Sequence, residues 1–475
     1  MNFLPKTKIV ATLGPASDTE DVLRDLFKAG VNVCRINFSH GTHEEHAKKF
    51  ELIKRLRKEL NLPIAILTDL QGPKIRVGSF KNKQETIIVG QEFTFTTRSV
   101  EGTGEIASIS YKRLTQDLKK GSHILVNDGL LDFEVIDIPN STDVECVSLT
   151  DGIISDHKGV NIPGIYMNIP FMNEKDIADL HFAIEHNVDF VAASFTQNKE
   201  NILQIKNIIQ AENGRQAVIA KIENQEGLNN AREIIDVADG LMVARGDLGV
   251  EVEPALVAFA QKKLINLANS LSKPVITATQ MLESMTHNLR PTRAEVADVT
   301  NAILDGTSCV MLSAETAAGE HPVEVVSMMR KIATTTEESM DYRKLTQLVH
   351  ENDDTSITNE IAHAACSISD QLKIRNIITA TTSGLTARHI ARFKPRANIL
   401  ALTGDATVYN RLALFWGVQP VLSRHYSDTD DMIRFSQDDA KASGFVSEGE
   451  LVVITSGIPV GQTGTTNLLT VKKIE

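Results

Sequence analysis

Only four cysteines and one tryptophan occur in the 475 residues, and aromatic residues make up 5% of the chain. Cys34, Cys146, Cys309 and Cys366 are scattered without the paired spacing of a metal site, and three of them lie in apolar surroundings. Buried free thiols in a reducing cytoplasm are therefore expected. No apolar run approaches the length needed to span a bilayer. The opening stretch, MNFLPKTKIVATLG, reads as a short lead into a strand and lacks a signal peptide's cleavage region, so a cytoplasmic protein without a membrane partner is expected. Basic charge is also scarce: 49 Lys and Arg stand against 61 Asp and Glu, for a net charge of -12. That leaves no excess to neutralise phosphates, which argues against nucleic acid as a partner. The cluster KRLRK at 54–58 sits in a helical pattern and reads as a solvated face. Low-complexity tracts and solenoid repeats are missing too. The lone Trp416 reads as core.

What is present is the composition of an ordinary globular protein, with 42% hydrophobic and 23% charged residues. The length suggests about three domains. Strand-like apolar runs at 6–14, 31–39 and 63–70 alternate with helical patterns at 18–29 and 42–60. Thr42 with Glu45 three residues on reads as a capping box. The rhythm changes between 72 and 169, where short alternating segments such as EFTFT, HILVN and DVECV predict a small inserted β module. Helix and strand resume at 173, with strands expected at 188–195, 217–222, 240–245, 274–280 and 307–313. Three strands before the insert and five after it make eight.

Eight parallel strands alternating with helices predict a (β/α)8 TIM barrel, whose chemistry sits at the C-terminal strand ends. Those ends carry Arg35, Asn37 and Ser39; Asp69; Lys221 and Glu223; Asp247; Thr279; and Ser313 with Glu315. An open doubly wound sheet is expected to concentrate polar groups at one switch point instead. An acidic stretch, HENDDT at 350–355, reads as a linker into a smaller C-terminal α/β domain with a mostly parallel sheet. The expected division is 1–71 with 170–345 for the barrel, 72–169 for the insert and 346–475 for the C-terminal domain.

The chemistry concentrates at 217–251, AVIAKIENQEGLNNAREIIDVADGLMVARGDLGVE. It reads as strand, helix, strand, with charge at both strand exits. Lys221 and Glu223 are two apart and share a face. If the two strands are neighbours, Asp247 arrives beside them. Two carboxylates and an ammonium suit an oxygen-ligated divalent metal with a lysine on an anionic substrate. The other reading is a structural ion pair at a sheet end.

Several phrases, in order along the chain, resemble the pyruvate kinase family: VCRINFSHG at 33–41, GPKIR at 72–76, KGVNIPG at 158–164, KIENQEG at 221–227, VARGDLGV at 243–250, ATQMLESM at 278–285, PTRAE at 291–295 and MLSAET at 311–316. The resemblance implies phosphoryl transfer from phosphoenolpyruvate to ADP, giving pyruvate and ATP in the last step of glycolysis. It implies that Glu223 and Asp247 hold Mg²⁺ (or Mn²⁺). Lys221 is then the lysine that meets the phosphoryl group, while Arg35 and Arg76 face its oxygens. Gly246 and its neighbours become backbone donors to the substrate carboxylate. Thr279, with Ser313, belongs to a proton relay near the enolate carbon. Asn37, Ser39, Asp69 and the Leu70 carbonyl match the family's monovalent-cation site, and Asn37, His40, Arg76, Asp128 and Lys158 match nucleotide-side contacts under a closing lid. On its own, His40 reads as a helix-cap residue.

One departure stands out. K⁺-requiring members carry Glu where this chain has Lys74, and a tethered ammonium can replace the ion, so K⁺-independent turnover is expected. The turn TTSGLT at 381–386, with Thr381, Thr382, Ser383, Gly384 and Thr386, joins a strand to a helix and suits a phosphorylated effector. It reads equally as a plain βα turn. The loop SGIPVGQTGT at 456–465 is expected to cover such an effector. The family resemblance further implies a homotetramer, and no additional module is expected after Val471. Two competing functions remain open here: a metal-dependent barrel lyase acting on a pyruvate enolate, and a catalytically silent metabolite sensor.

Overall fold

The computed structural model describes residues 5–165, 169–343, 345, 356–460 and 466–475. Eight strands form a closed, all-parallel barrel in consecutive order. They are β1 Lys8–Thr12, β2 Val33–Asn37, β3 Ala65–Asp69, β4 Phe190–Ala193, β5 Ala217–Ile222, β6 Gly240–Ala244, β7 Val275–Ala278 and β8 Cys309–Leu312. Nearly every strand residue is buried, because strands covered on both faces must be apolar throughout. Val10, Leu67, Phe190, Ile219, Met242 and Ile276 fill the interior. Ala413 and Leu414 of the C-terminal region join that cluster, and Leu414 O accepts a contact from Cys309 Sγ at 3.0 Å. The barrel is thus closed below by another part of the chain and open for chemistry only above.

Helices begin where side chains can satisfy the first free N–H groups. The expected capping box at Thr42 and Glu45 is present, and others start the helices Glu174–Glu185, Lys199–Ala211 and Arg293–Leu304. The helix expected between β5 and β6 divides at Asn230 into Gln225–Asn229 and Ala231–Val237. Gly246 and its neighbours lie inside the helix Arg245–Glu251.

The insert forms a seven-stranded sheet plus the two-stranded pair Gln84–Ile87 and Gly152–Ser155. Its edge strands, Ile75–Arg76 and Ile106–Ser108, are drawn together by Gly78 N–H to Ser108 O at 2.8 Å and Ser110 N–H to Arg76 O at 3.0 Å. The sheet therefore curls back on itself as a small barrel around Phe93, Phe95 and Phe133, whose ring centroids lie 5.0–5.3 Å apart. The C-terminal sheet has five strands, in the order Val418–Leu422, Asn398–Thr403, Asn376–Ala380, Leu451–Gly457, Thr466–Lys473, with only the last antiparallel. The linker expected at 350–355 and the end of the 456–465 loop lie outside the described residues.

All four cysteines are free and buried, and burial pushes the thiols of Cys146 and Cys309 up to about 12. Trp416 is buried, with Lys6 Nζ and Lys394 Nζ at 5.3 and 5.0 Å from its ring centroid. Among the described residues, no helix is long and apolar enough to cross a membrane.

Candidate active site

Strand pairing fixes the site before any side chain is considered. β5 lies beside β6 and β4, and β3 lies between β4 and β2, so five neighbouring strand ends share one rim. Lys221, near the end of β5, is 8% exposed. Its Nζ lies 3.0 Å from Asp69 Oδ1, 3.0 Å from Glu223 Oε1 and 2.7 Å from Ser194 Oγ. Asp69 in turn accepts from Arg35, Nε and Nη2 each approaching Oδ2 at 2.7 Å, while Arg35 Nη1 donates to Thr12 Oγ1 at 2.9 Å. Two cations and two carboxylates thus form one buried network.

Burial alone would lower the Lys221 pKa, but Asp69 and then Glu223 outweigh it and leave the ammonium firmly charged. Burial would likewise raise the Asp69 pKa, yet Lys221 and Arg35 bring it below the ordinary carboxylate value. Glu223 differs. Burial dominates, the charges of Asp247 and Asp69 add to it against Lys221, and its pKa rises to about 7. Its second oxygen, Oε2, accepts the Phe195 N–H at 2.6 Å.

Asp247 lies in the first turn of Arg245–Glu251 and pairs with Lys74 Nζ at 3.2 Å. Lys74 comes from the start of the insert, and its Nζ is also 3.9 Å from Asp128. A second contact from the insert reaches the same helix: Asn161 Nδ2 donates to Glu251 Oε1 at 2.7 Å. Opposite, Thr279 has φ 69°, a strained backbone for a β-branched residue. Arg245 holds the turn there, donating to Ala278 O at 3.2 Å and Thr279 O at 2.6 Å while paired with Asp298 at 2.7 Å. Thr279 Oγ1 donates to Ala278 O at 2.6 Å and accepts the Gly246 N–H at 2.8 Å. Gly246 is therefore already engaged, leaving fewer of the expected backbone donors unpaired.

Chain-wide similarity agrees with this geometry. Residues 4–326 match the model described as pyruvate kinase, barrel domain, and residues 359–472 match pyruvate kinase, alpha/beta domain. The chain belongs to the pyruvate kinase family. Pyruvate kinases of Staphylococcus aureus strains USA300 and MRSA252 are each 45% identical over 469 residues, covering 98% of this chain and 80% of theirs. A crystal structure of a pyruvate kinase from Cryptosporidium parvum superposes with a TM-score of 0.93 at 35% identity, covering 99% of this chain and 96% of that one. The enzyme is accordingly a phosphotransferase acting on phosphoenolpyruvate and ADP, which removes the lyase and silent-sensor readings.

The remaining expected residues divide by location. Arg35, Asp69, Lys221 and Glu223 meet directly; Thr279 meets Gly246; and Asp247 meets Lys74. Arg76 belongs to the insert, where its Nη1 donates to His157 O at 2.8 Å. Asp128 is 75% exposed, Lys158 half-buried and His40 exposed. Asn37 Oδ1 accepts the Ser39 N–H at 3.0 Å, and Leu70 O accepts from Ser194 Oγ at 2.7 Å. Ser313 Oγ is buried without a hydrogen-bond partner among the described residues, and the Ser313 N–H donates to Glu315 Oε2 at 2.6 Å. Thr381 Oγ1 accepts the Gly384 N–H at 2.9 Å, Gly384 having φ 82°. Thr381, Thr382, Ser383 and Thr386 line a cavity of about 110 Å³ that also receives Arg424 and His425.

Sequence reading missed Ser194, Thr12, Asp298 and the Asn161–Glu251 contact. Ser194 had a signal: it stands one residue past β4, the same exit position that gave weight to the other strand ends.

Proposed function

We propose that catalysis runs on the Lys221–Glu223–Asp247 constellation, with Mg²⁺ (or Mn²⁺) held by the two carboxylates. The donor set fits a hard divalent cation. Glu223 and Asp247 each offer an oxygen that now faces a lysine ammonium, so each is already compensated by positive charge. Two carboxylates do not fill the oxygen shell of such a cation, which leaves positions for substrate and water. When bound, the metal offsets the charge of the substrate's carboxylate and phosphate.

Lys221 stabilises the phosphoryl group in transfer and the developing enolate, from a position fixed by Asp69 and Ser194. Arg35, aligned by Asp69 and Thr12, presents its planar fork to phosphoryl oxygens. Gly246 and Asp247, in a helix's first turn, bind the substrate carboxylate, the Gly246 N–H exchanging Thr279 Oγ1 for a substrate oxygen. Thr279 and Ser313 relay the proton toward the enolate carbon; a hydroxyl is a poor acid, so they pass it on and do not supply it. Arg76, Asp128 and Lys158 in the lid contact ADP with Asn37 and His40, and lid closure excludes water.

Lys74 supplies, from a position against Asp247 and Asp128, the positive charge that K⁺ brings to the site matched by Asn37, Ser39, Asp69 and Leu70, which makes turnover K⁺-independent. The Lys74–Asp247 pair carries this reading, since it puts a fixed ammonium against a proposed metal ligand. Turnover in tetramethylammonium chloride is expected to equal turnover in KCl at constant ionic strength and saturating Mg²⁺. A large increase in KCl would refute the substitution.

The 381–386 turn, with its hydroxyls, its cavity and the nearby Arg424, supports activation by a phosphorylated metabolite. A homotetramer is supported by Leu256 and Phe259. These are 50% and 70% exposed, three residues apart, where Pro254–Leu256 runs into the helix Val257–Ser270. Cytoplasmic residence goes with the free thiols.

A further inference from the structure

A cavity of about 750 Å³ opens at the amino ends of the C-terminal sheet, opposite the strand ends that lead into the 381–386 turn. Its lining includes four basic side chains, Arg343, Lys373, Arg375 and Arg396, against two acidic ones, Asp370 and Glu450. Arg343 is matched by Asp370 at 2.7 Å. The other three basic side chains make no hydrogen bond or ion pair with any described residue. In a chain of net charge -12, so local a positive excess stands out.

The floor is built of neutral polar groups held in place. Asn376 is 3% exposed, and its Nδ2 donates to Phe445 O at 3.0 Å. Asn398 Nδ2 donates to Asn376 Oδ1 at 3.2 Å, and Lys6 Nζ, ahead of β1, donates to Ala397 O at 2.9 Å and approaches Asn398 Oδ1 at 3.4 Å. A fixed amide floor beneath unpaired guanidinium and ammonium groups suits a ligand with several anionic oxygens. Successive parallel strands deliver these groups together: Arg375 precedes Asn376–Ala380 and Arg396 precedes Asn398–Thr403.

We propose that this cavity binds a small polyanion, a phosphate ester or a polycarboxylate, at a site separate from both the barrel mouth and the 381–386 turn. The test is calorimetric titration of the full-length, metal-free enzyme with inorganic phosphate and, separately, citrate. Three proteins are compared: wild type, an Arg375→Ser/Arg396→Ser double variant and a Thr381→Ala/Ser383→Ala double variant. At least one probe is expected to bind wild type and the Thr381/Ser383 variant equally. It is expected to bind the arginine variant about ten-fold or more weakly, the effect of losing charge-assisted contacts. Phosphate binding alone assigns the site to phosphate esters, and citrate binding alone to polycarboxylates. Both arginines are exposed, so unchanged turnover of their variant shows an intact fold, and an Arg375→Lys/Arg396→Lys protein is expected to retain most of the affinity. Equal binding to wild type and the arginine-to-serine variant, loss of binding in the Thr381/Ser383 variant alone, or no binding of either probe would overturn the proposal.

Discussion

The rim of the barrel and the 381–386 turn are both places where parallel strands hand over to helices, yet they are equipped for different work. At the rim, Arg35 and Lys221 are locked to Asp69 and Glu223 in a nearly dry network, and every charge has a partner. At the turn, the lining hydroxyls of Thr381, Thr382, Ser383 and Thr386 are neutral, and the nearest basic groups come from another loop. Shared topology supplies the position; side-chain charge and burial decide whether that position can drive a reaction or only receive a ligand. Buried, paired charges cannot relax when a phosphoryl group moves, which is what transition-state stabilisation requires.

The comparison is most easily broken at Lys221. Replacing it with Met is expected to lower kcat by about 10²–10³-fold, the usual effect of removing one preorganised charge from a reacting centre. Thr381→Ala is expected to leave basal turnover unchanged and to alter only activation by phosphorylated metabolites. Steady-state assays of ADP-dependent pyruvate release on both variants, with circular dichroism to confirm folding, provide the check. Comparable losses in both proteins would erase the distinction.

Lys74 sharpens it further. Lys74→Glu is expected to make turnover respond to K⁺ by about ten-fold or more, the scale of one close charge pair. Rates in KCl against tetramethylammonium chloride test this, and a variant indifferent to K⁺ would contradict the role given to the ammonium.

A smaller effect follows from Glu223. Because burial raises its pKa to about 7, its proton competes with metal increasingly as pH falls through that region. Apparent Mg²⁺ affinity should therefore fall as pH drops from 7 to 6, by at most about ten-fold per unit for one proton, and level off above 7. Titrations of Mg²⁺ at fixed pH values measure it; affinity that rises on acidification would reverse the sign.

Much of the fold was readable because its parts are locally consistent. The eight apolar runs, the Thr42–Glu45 box and the alternating segments of the insert each signal their own geometry. Charged groups at strand ends, such as Lys221 and Glu223, were legible for the same reason, since two-residue spacing sets a common face. Partners were harder to read. Asp69 matched a monovalent-cation position, but its contacts with Lys221 and Arg35 depend on four strands, β2 to β5, closing side by side. The Arg76 contact with His157 O likewise depends on the insert strand that carries it and on no local pattern. Thr279 gave no hint of its positive φ, which Arg245 imposes across from β6. Such features arise from tertiary closure, and no local pattern encodes them.

The most direct trial is to locate the metal. Mn²⁺ bound with phosphoenolpyruvate and detected by anomalous diffraction should be coordinated by one carboxylate oxygen from Glu223 and one from Asp247, with Lys221 Nζ facing the substrate phosphate. Manganese bound elsewhere, or held without either of those carboxylates, would contradict the mechanism.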